Sequence, residues 1–396
     1  MRRILRWAVS LALVAAAGAA LSLAWLLRSP PLSGDRARDL EQIVAEGVAG
    51  DRSIKNCVLA VMKGDRAFQW SGAAGIRHER DHQAMTSDTP IFIASVTKLY
   101  TATIVMLLAE QGALSLDDPM AKYLPTNLIR GIHVLDGKDY SGEITIRELM
   151  SHRSGIADYY DQKASDGKSL FDLLRENPES SWTVDQAIRR ARDQLKPNFA
   201  PGARTSYSDT NFLLLGKVIE AVTGRPLHLV FETRIFDPLG LKHTWLIGDQ
   251  GGVSGPLDEP ADVFDGEIDI TRARFSPSYW ADGGIVSTAE DMIVFLRALN
   301  EGRIVRPESL KQMHDWRPWR FPLQYGLGTM LFRLPGRASA ATGLTPLWGH
   351  SGSTGSFLYY SPADDLYVAG TVDQTEAKAK PFFSLIRGVL KVMRSE

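Results

Sequence analysis

The chain has 396 residues, 44% of them hydrophobic and 23% charged, and a net charge of -1 at neutral pH. This composition is that of a folded globular protein, and the balanced charge gives no electrostatic basis for binding nucleic acid. Because a single hydrophobic core stops growing at about 250–300 residues, we expect two lobes. The one cysteine, Cys57, lies in an apolar stretch typical of a strand, so an internal disulfide is excluded and we expect a buried, unreactive thiol.

The N-terminus has the pattern of an export signal. Residues 1–6 include three arginines, residues 7–27 are apolar or small, and Arg28 ends the run. About 20 apolar residues suffice to span a bilayer, and the basic end should stay in the cytoplasm. We expect residues 1–28 to anchor the protein in the inner membrane, facing the periplasm, or, if cleaved near Ala17–Ala19, to release a periplasmic or secreted product. Residues 29–38, which include a Pro-Pro pair, are predicted to be a linker.

The next segments predict two strands and a helix. Residues 56–63 and 67–73 flank Gly64-Asp65, which indicates a hairpin. Residues 89–94 predict a short buried segment. The run 99–110 is apolar on nearly every side and is ended by Gly112, which is typical of a buried helix.

Ser95-Val96-Thr97-Lys98 stands where that helix begins. Residues i and i+3 share a helix face, so the Lys98 ammonium should lie beside the Ser95 hydroxyl. The first N–H groups of a helix lack partners within it and can hold a developing negative charge. A nucleophile, a nearby base and an anion-stabilising backbone are the parts needed for acyl transfer, with Ser95 as the nucleophile.

The rest of the chain predicts a helical insertion followed by more sheet. Residues of about 121–279 are irregular and helix-rich, and we expect them to form a helical lobe inserted into an α/β lobe of about 39–120 and 280–396. Strands are predicted near 324–334, 356–361 and 366–372, an amphipathic helix over 288–301, and a last helix from Pro381 to about Met393. The order favours an α+β fold: an antiparallel β-sheet flanked by the N- and C-terminal helices.

Two further motifs accompany the serine. Tyr207-Ser208-Asp209 precedes an apolar helical run, and His350-Ser351-Gly352 precedes a strand. With Ser95-x-x-Lys98, these elements in this order resemble the serine β-lactamase and penicillin-binding-protein superfamily, and more closely its class C β-lactamase-related branch of DD-carboxypeptidases and esterases. The likeness covers roughly residues 40–392.

The resemblance implies the role of each motif. Ser95, Lys98 and Tyr207 would be catalytic, with either Lys98 or Tyr207 as the base, since the two titrate as a coupled pair. The N–H groups of Ser95 and Ser353 would form the oxyanion hole. Asp209 and the segment His350-Ser351-Gly352 would bind substrate, and no cofactor or metal is implied.

The chain departs from the family pattern at two positions. His350 replaces the lysine found in many β-lactamases and so removes a permanent cation, which favours a DD-carboxypeptidase-like or esterase-like activity. Asp209 replaces the commoner asparagine, and an ionised carboxylate cannot donate to a substrate carbonyl. We expect Asp209, two residues after Tyr207 in an extended loop, to favour the Lys98 ammonium and thereby a Tyr207 phenolate. Arg333 is a weaker candidate to hold a substrate carboxylate, and Trp280 fits the cavity wall and the core equally well.

Other functions fit less well. His78-Glu79-Arg80-Asp81-His82 matches a zinc-protease motif but has the surroundings of a polar loop, whereas the motif requires a helix. The G-x-S-x-G motif of α/β-hydrolases does not occur. We therefore expect a serine hydrolase acting on a small amide, ester or peptidoglycan-like peptide. The alternatives are a class C-type β-lactamase and a non-catalytic penicillin-binding sensor. The oligomeric state is not predicted.

Overall fold

The computed structural model describes residues 32–247 and 258–395. The apolar run 7–27 lies outside these residues, as do the first three residues of the predicted linker. The linker prediction is wrong at its end, because the first helix already begins at Arg36. Within the described ranges, no helix combines the length and the apolar character that crossing a bilayer requires.

Sixteen strands are described, and nine of them form one antiparallel sheet in the order β11-β12-β13-β14-β15-β16-β1-β2-β3. The sheet strands are β1 (Asn56–Lys63), β2 (Gln69–His78), β3 (Gln83–Ala84), β11 (Arg317–Arg320), β12 (Leu323–Tyr325), β13 (Met330–Phe332), β14 (Leu347–Ser351), β15 (Phe357–Ser361) and β16 (Leu366–Thr371). A second sheet has the order β4-β10-β7, from β4 (Ile91–Phe92), β7 (Trp245–Leu246) and β10 (Ile285–Ser287). The remaining strands form two small hairpins, β5 (Val134–Leu135) with β6 (Lys138–Asp139) and β8 (Phe264–Asp265) with β9 (Ile268–Asp269).

Fourteen α-helices are described in the same ranges. They are α1 (Arg36–Ala49), α2 (Thr97–Glu110), α3 (Thr126–Ile129), α4 (Ile146–Met150), α5 (Leu170–Glu176), α6 (Val184–Gln194), α7 (Asp209–Thr223), α8 (Leu227–Phe231), α9 (Asp237–Leu239), α10 (Thr271–Arg274), α11 (Ala289–Asn300), α12 (Pro307–Met313), α13 (Gly336–Thr342) and α14 (Arg387–Arg394). A π-helical turn, Phe382–Ile386, leads into α14.

The large sheet separates two hydrophobic cores, and β1 shows why. Side chains alternate between the faces of a strand. Val58 and Ala60 pack into the core shared with α2, α7 and α11, whereas Leu59 and Val61 pack into the core shared with α1 and α14. Both faces of the sheet are therefore covered, one of them by the N- and C-terminal helices. The predicted α+β class with an antiparallel sheet is confirmed.

Helix α2 lies in the middle of the first core. Eleven of its fourteen residues are buried, as its apolar composition predicts, and Gly112 follows it at a φ of 69°. The segment 281–285 is tied to its first turns: Thr101 Oγ1 donates to Ala281 O at 2.6 Å, and Ile285 N–H donates to Thr97 Oγ1 at 3.1 Å. This tie places residues 282–284 next to Ser95.

Three local predictions differ from the structure. The strand predicted over 324–334 is interrupted between β12 and β13, since Gly326 N–H bonds to Thr329 O across a turn. Strands β11 and β14 were not predicted; His350 precedes the predicted strand, β15, but itself lies within β14. The region predicted to be irregular and helix-rich contains the β5–β6 hairpin.

Candidate active site

Ser95 lies on a tight turn between β4 and α2. Ala94 has a φ of 47°, and residues 94–96 form one 3-10 turn that continues into α2. A non-glycine residue in the left-handed region costs of order 1–3 kcal/mol, so its surroundings must hold it. Ile93 N–H donates to Ile285 O at 3.1 Å, which fixes the entry to the turn. Ser95 is thereby presented on the wall of the main cavity.

Lys98 is completely buried beside Ser95. Its Nζ donates to Ser95 Oγ at 3.1 Å and to Asp282 O at 2.6 Å, and it forms an ion pair with the Asp209 carboxylate. An ammonium has three N–H donors, and these three oxygens match them. Burial lowers the pKa of Lys98, but the Asp209 and Asp282 carboxylates outweigh burial and raise the pKa above its ordinary value. Lys98 is therefore a cation in the unliganded site.

Tyr207 lies next to Lys98, whose Nζ is 5.0 Å from the centroid of the Tyr207 ring. Its ring stacks on Trp319 with the centroids 5.2 Å apart and lies 4.2 Å from the His152 ring. Burial and the Asp209 carboxylate raise the pKa of Tyr207 well above 10, although the Ser95 hydroxyl lowers it in part. No described side chain completes a hydrogen bond to the Tyr207 hydroxyl. Tyr207 is therefore a neutral phenol with an uncommitted oxygen facing Ser95.

These protonation states bear on the choice of base. An ammonium cannot accept the Ser95 proton, whereas the Tyr207 oxygen has a lone pair that can accept it while the phenol passes its own proton to the leaving group of the substrate. The geometry therefore favours Tyr207 as a proton shuttle, with Lys98 holding Ser95 in place.

One expectation about Asp209 is wrong. Asp209 does not lie in an extended loop but is the first residue of α7. From there it acts on Tyr207 directly and raises the pKa of the phenol, so it disfavours the phenolate that we expected it to promote.

The end of β14 lies against the Ser95 turn. Ser351, Gly352 and Ser353 line the cavity with Ser95. A Cβ built on Gly352 would lie 2.7 Å from Ile93 O and 2.9 Å from Ala94 Cβ, so only glycine lets the strand end approach the Ser95 turn this closely. The N–H groups of Ser95 and Ser353 donate to no described protein atom. Both are available for the oxyanion role that the resemblance implies.

The His350 side chain does not face the cavity. The ring is fully buried, with Nδ1 donating to Ser351 O at 2.8 Å and Nε2 accepting from the Tyr325 hydroxyl at 3.0 Å. Burial and the Lys98 cation lower the pKa of His350 to about 3, so the ring is neutral. Its effect on substrate is therefore indirect, through Tyr325, whose ring lies 5.8 Å from that of Tyr207.

The cavity has a volume of about 670 Å³, and several of its charged residues escaped the sequence analysis. Asp158, Asp161, Arg274 and Lys378 all line it. They come from three separate places in the chain, and no motif connects them.

Two weaker candidates lie elsewhere. Trp280 is 2% exposed and packs under Gly216, within the core. Arg333 is exposed and lies outside the main cavity. The zinc-protease motif forms no helix: His78 ends β2, and its Nδ1 lies 3.0 Å from Asp262 Oδ1. Among the described residues, no group of three or more His, Cys, Asp or Glu side chains is arranged to hold a metal.

Comparison with known proteins agrees with this arrangement. The Beta-lactamase family model matches residues 40–381. The chain belongs to this family. Penicillin-binding protein 4 of Amycolatopsis lactamdurans is 28% identical over 323 residues, which are 75% of each chain. A D-aminopeptidase of Brucella anthropi is 29% identical over 62% of this chain, but the match spans only 42% of the aminopeptidase. The solved structure of a D-stereospecific amidohydrolase from Streptomyces sp. is similar with a TM-score of 0.70 and 28% identity, covering 88% of this chain and 98% of that one.

These matches confirm the family and the enzyme class predicted from the sequence motifs. The protein is a serine hydrolase of the β-lactamase fold. Its relatives include hydrolases of peptides and of amides, and the residues around Ser95 bear on the choice between these substrates.

Proposed function

We propose that the protein hydrolyses small amino-acid or peptide amides whose acyl residue has a free ammonium group, through an acyl-enzyme at Ser95. The observation that carries the proposal is a pair of adjacent carboxylates, Asp158 and Asp209, on the cavity wall. Both are 7% exposed, and Asp209 N–H donates to Asp158 Oδ1 at 3.0 Å. Asp209 is neutralised by Lys98, whereas Asp158 is bonded only by N–H groups among the described residues.

A substrate ammonium would supply the cation that Asp158 lacks. Burial and the nearby Asp209 raise the pKa of Asp158 well above 3.8, because two carboxylates share a poorly solvated site. The α-ammonium of an amino-acid amide is attached next to the reacting carbonyl, so a carboxylate beside Ser95 is suitably placed to receive it. The bound cation would also offset the carboxylate charge that raises the pKa of Tyr207, and so assist proton transfer from Ser95.

An N-acylated substrate fits this wall less well. N-acylation removes the positive charge and leaves one N–H donor in place of three, so the substrate no longer supplies a cation for Asp158. This argument favours an aminopeptidase-like or amidase-like activity over the DD-carboxypeptidase-like, esterase-like and β-lactamase alternatives. The names of the D-aminopeptidase and the D-stereospecific amidohydrolase support a D-configured acyl residue.

The test compares D-alanine p-nitroanilide with its N-acetyl derivative. The panel also contains L-alanine p-nitroanilide, a nitrophenyl ester, a D-Ala-D-Ala peptide and a chromogenic cephalosporin. We expect kcat/KM to be at least about tenfold higher for the free amine, since a hydrogen bond to a charged group is worth about 1.5–3 kcal/mol. Asp158→Asn should reduce this preference, whereas the exposed, distant Asp166→Asn should not. A higher kcat/KM for the N-acetyl substrate would exclude the proposal.

We also propose that the catalytic domain acts outside the cytoplasm, held by residues 1–28. This proposal rests on the basic and apolar pattern of the N-terminus alone.

A further inference from the structure

Arg274 is a buried guanidinium on the cavity wall. It is the last residue of α10, is 2% exposed, and lines the same cavity as Ser95. Its Nη2 donates to Gly283 O at 3.3 Å, and a Cβ built on Gly283 would lie 3.8 Å from the carbonyl carbon of Ala94. Arg274 therefore lies close to the backbone that carries the nucleophile.

The hydrogen-bonding capacity of Arg274 is largely unused. A guanidinium has five N–H donors, but among the described residues Arg274 has one long hydrogen bond to a carbonyl and an interaction with the Tyr279 hydroxyl, and its Nε has no partner. No described carboxylate forms an ion pair with it, and Asp282 acts on it only from a longer distance. The similarly buried Arg190 lies outside the cavity and donates to Gln194 Oε1 and Lys168 O, both at 2.8 Å. An isolated buried charge is costly, so the open donors of Arg274 point to a ligand.

Arg274 shares a continuous wall with Asp158. The guanidinium carbon lies 3.9 Å from the centroid of the Tyr279 ring, whose hydroxyl donates to that of Tyr160 at 2.9 Å. Tyr160 N–H in turn donates to Asp158 Oδ1 at 3.2 Å. The wall thus presents an anion, two aromatic rings and a cation in succession. A ligand that matches it has an ammonium at one end and an anionic group at the other.

We propose that Arg274 binds a carboxylate on the acyl residue of the substrate, so that amides of acidic amino acids are preferred over their neutral isosteres. The position of the acyl residue rests on the proposed function, in which the substrate ammonium lies at Asp158. A carboxylate matches a guanidinium in two parallel hydrogen bonds, which a neutral amide cannot provide. His350 is neutral and does not face the cavity, so it is not placed to bind an anionic group of the substrate. Arg274 binds that group from a different position in the fold.

The experiment compares D-glutamyl with D-glutaminyl p-nitroanilide, which differ only in the charge of the side chain. In the wild type, kcat/KM should be at least about tenfold higher for D-glutamyl. Arg274→Gln should reduce this ratio by about tenfold or more, and Arg274→Lys should give an intermediate ratio. Arg333→Gln is the matched control: the arginine is exposed and outside the cavity, and the ratio should stay as in the wild type.

Each result decides the inference. A wild type with no preference for D-glutamyl, or Arg274 variants with the wild-type ratio, would show that Arg274 is structural. Because the D-glutaminyl rate is an internal reference, a loss of folding lowers both rates and leaves the ratio unchanged. If D-Ala-D-Ala loses more activity than its C-terminal amide in Arg274→Gln, the carboxylate belongs to the leaving group and the acyl assignment is wrong.

D-Glutamyl and D-glutaminyl p-nitroanilide, measured both as free amines and as N-acetyl derivatives, distinguish this inference from the proposed function. If the N-acetyl substrates are faster but still depend on Arg274, the ammonium site at Asp158 fails and the carboxylate site stands. If the free amines are faster but show no dependence on Arg274, the ammonium site stands and the carboxylate site fails.

Discussion

The ion pair between Asp209 and Lys98 makes Asp209→Asn a sensitive perturbation of the site. Asp209 is the carboxylate that most strongly raises the pKa of both Lys98 and Tyr207. Asparagine keeps an oxygen for the Lys98 ammonium but removes the charge. We expect the pKa values of both groups to fall together, since they titrate as a pair.

The size of the effect follows from the contact. A hydrogen bond between charged groups is worth about 1.5–3 kcal/mol, and one pKa unit corresponds to 1.36 kcal/mol. The basic limb of the kcat/KM profile, where Lys98 and Tyr207 lose their protons, should therefore move to lower pH by about 1–2 units. Because the amide can also donate, N-acylated substrates should gain relative to free amines. The variant should be less stable, because Lys98 keeps its buried charge and loses its ionic partner.

The assay is the pH dependence of kcat/KM for D-alanine p-nitroanilide and its N-acetyl derivative, at a temperature where circular dichroism shows the variant to be folded. Asp161→Asn is the control. Asp161 lines the same cavity, but the ion pair of Lys98 is with Asp209, so the pH profile of Asp161→Asn should shift less. An unchanged basic limb and an unchanged substrate ratio in Asp209→Asn would refute the electrostatic account of Lys98 and Tyr207.

Four further predictions follow. Tyr207→Phe should lower kcat far more than it raises KM, as steady-state kinetics will show; unchanged kcat would exclude the shuttle. Gly352→Ala should lower activity and should lower the free energy of unfolding, measured by urea denaturation, by about 1–3 kcal/mol. The reason is that the alanine Cβ would meet Ile93 O and Ala94. The folded state lowers the pKa of His350 to about 3 and that of His314 to about 4, whereas both protonate near pH 6.5 in the unfolded chain. The free energy of unfolding should therefore fall as the pH is lowered from 6.5 to 4. The fall should be less steep in His314→Gln. The full-length protein should fractionate with membranes; a soluble product whose N-terminus lies near residues 20–30 would contradict the anchor.

Local sequence signals predicted the catalytic turn well. The spacing of Ser95 and Lys98 depends only on helix geometry, and the apolar run after them could form only a buried helix. The pairing of β1 with β2 likewise followed from the turn at Gly64-Asp65, since a hairpin joins neighbours in the sequence. The family motifs extended this local reading to Tyr207 and to the end of β14.

Contacts between distant parts of the chain could not be read in this way. Asp158 and Arg274 are 116 positions apart, and they share a wall only because Tyr160 and Tyr279 bring the two segments together. His350 occupies a motif position, yet its orientation is decided by Tyr325 on β12. The direct effect of Asp209 on Tyr207 depends on where α7 begins, which residue spacing did not predict.

The central claim is that turnover of a free-amine amide proceeds through an ester at Ser95. Acid-quenched enzyme from steady-state turnover of a D-alanine ester or amide should be analysed by intact mass spectrometry and peptide mapping. The account predicts a mass increase of one D-alanyl group on the peptide that contains Ser95, and neither adduct nor turnover in Ser95→Ala. An adduct on another residue, or Ser95→Ala with wild-type turnover, would contradict it.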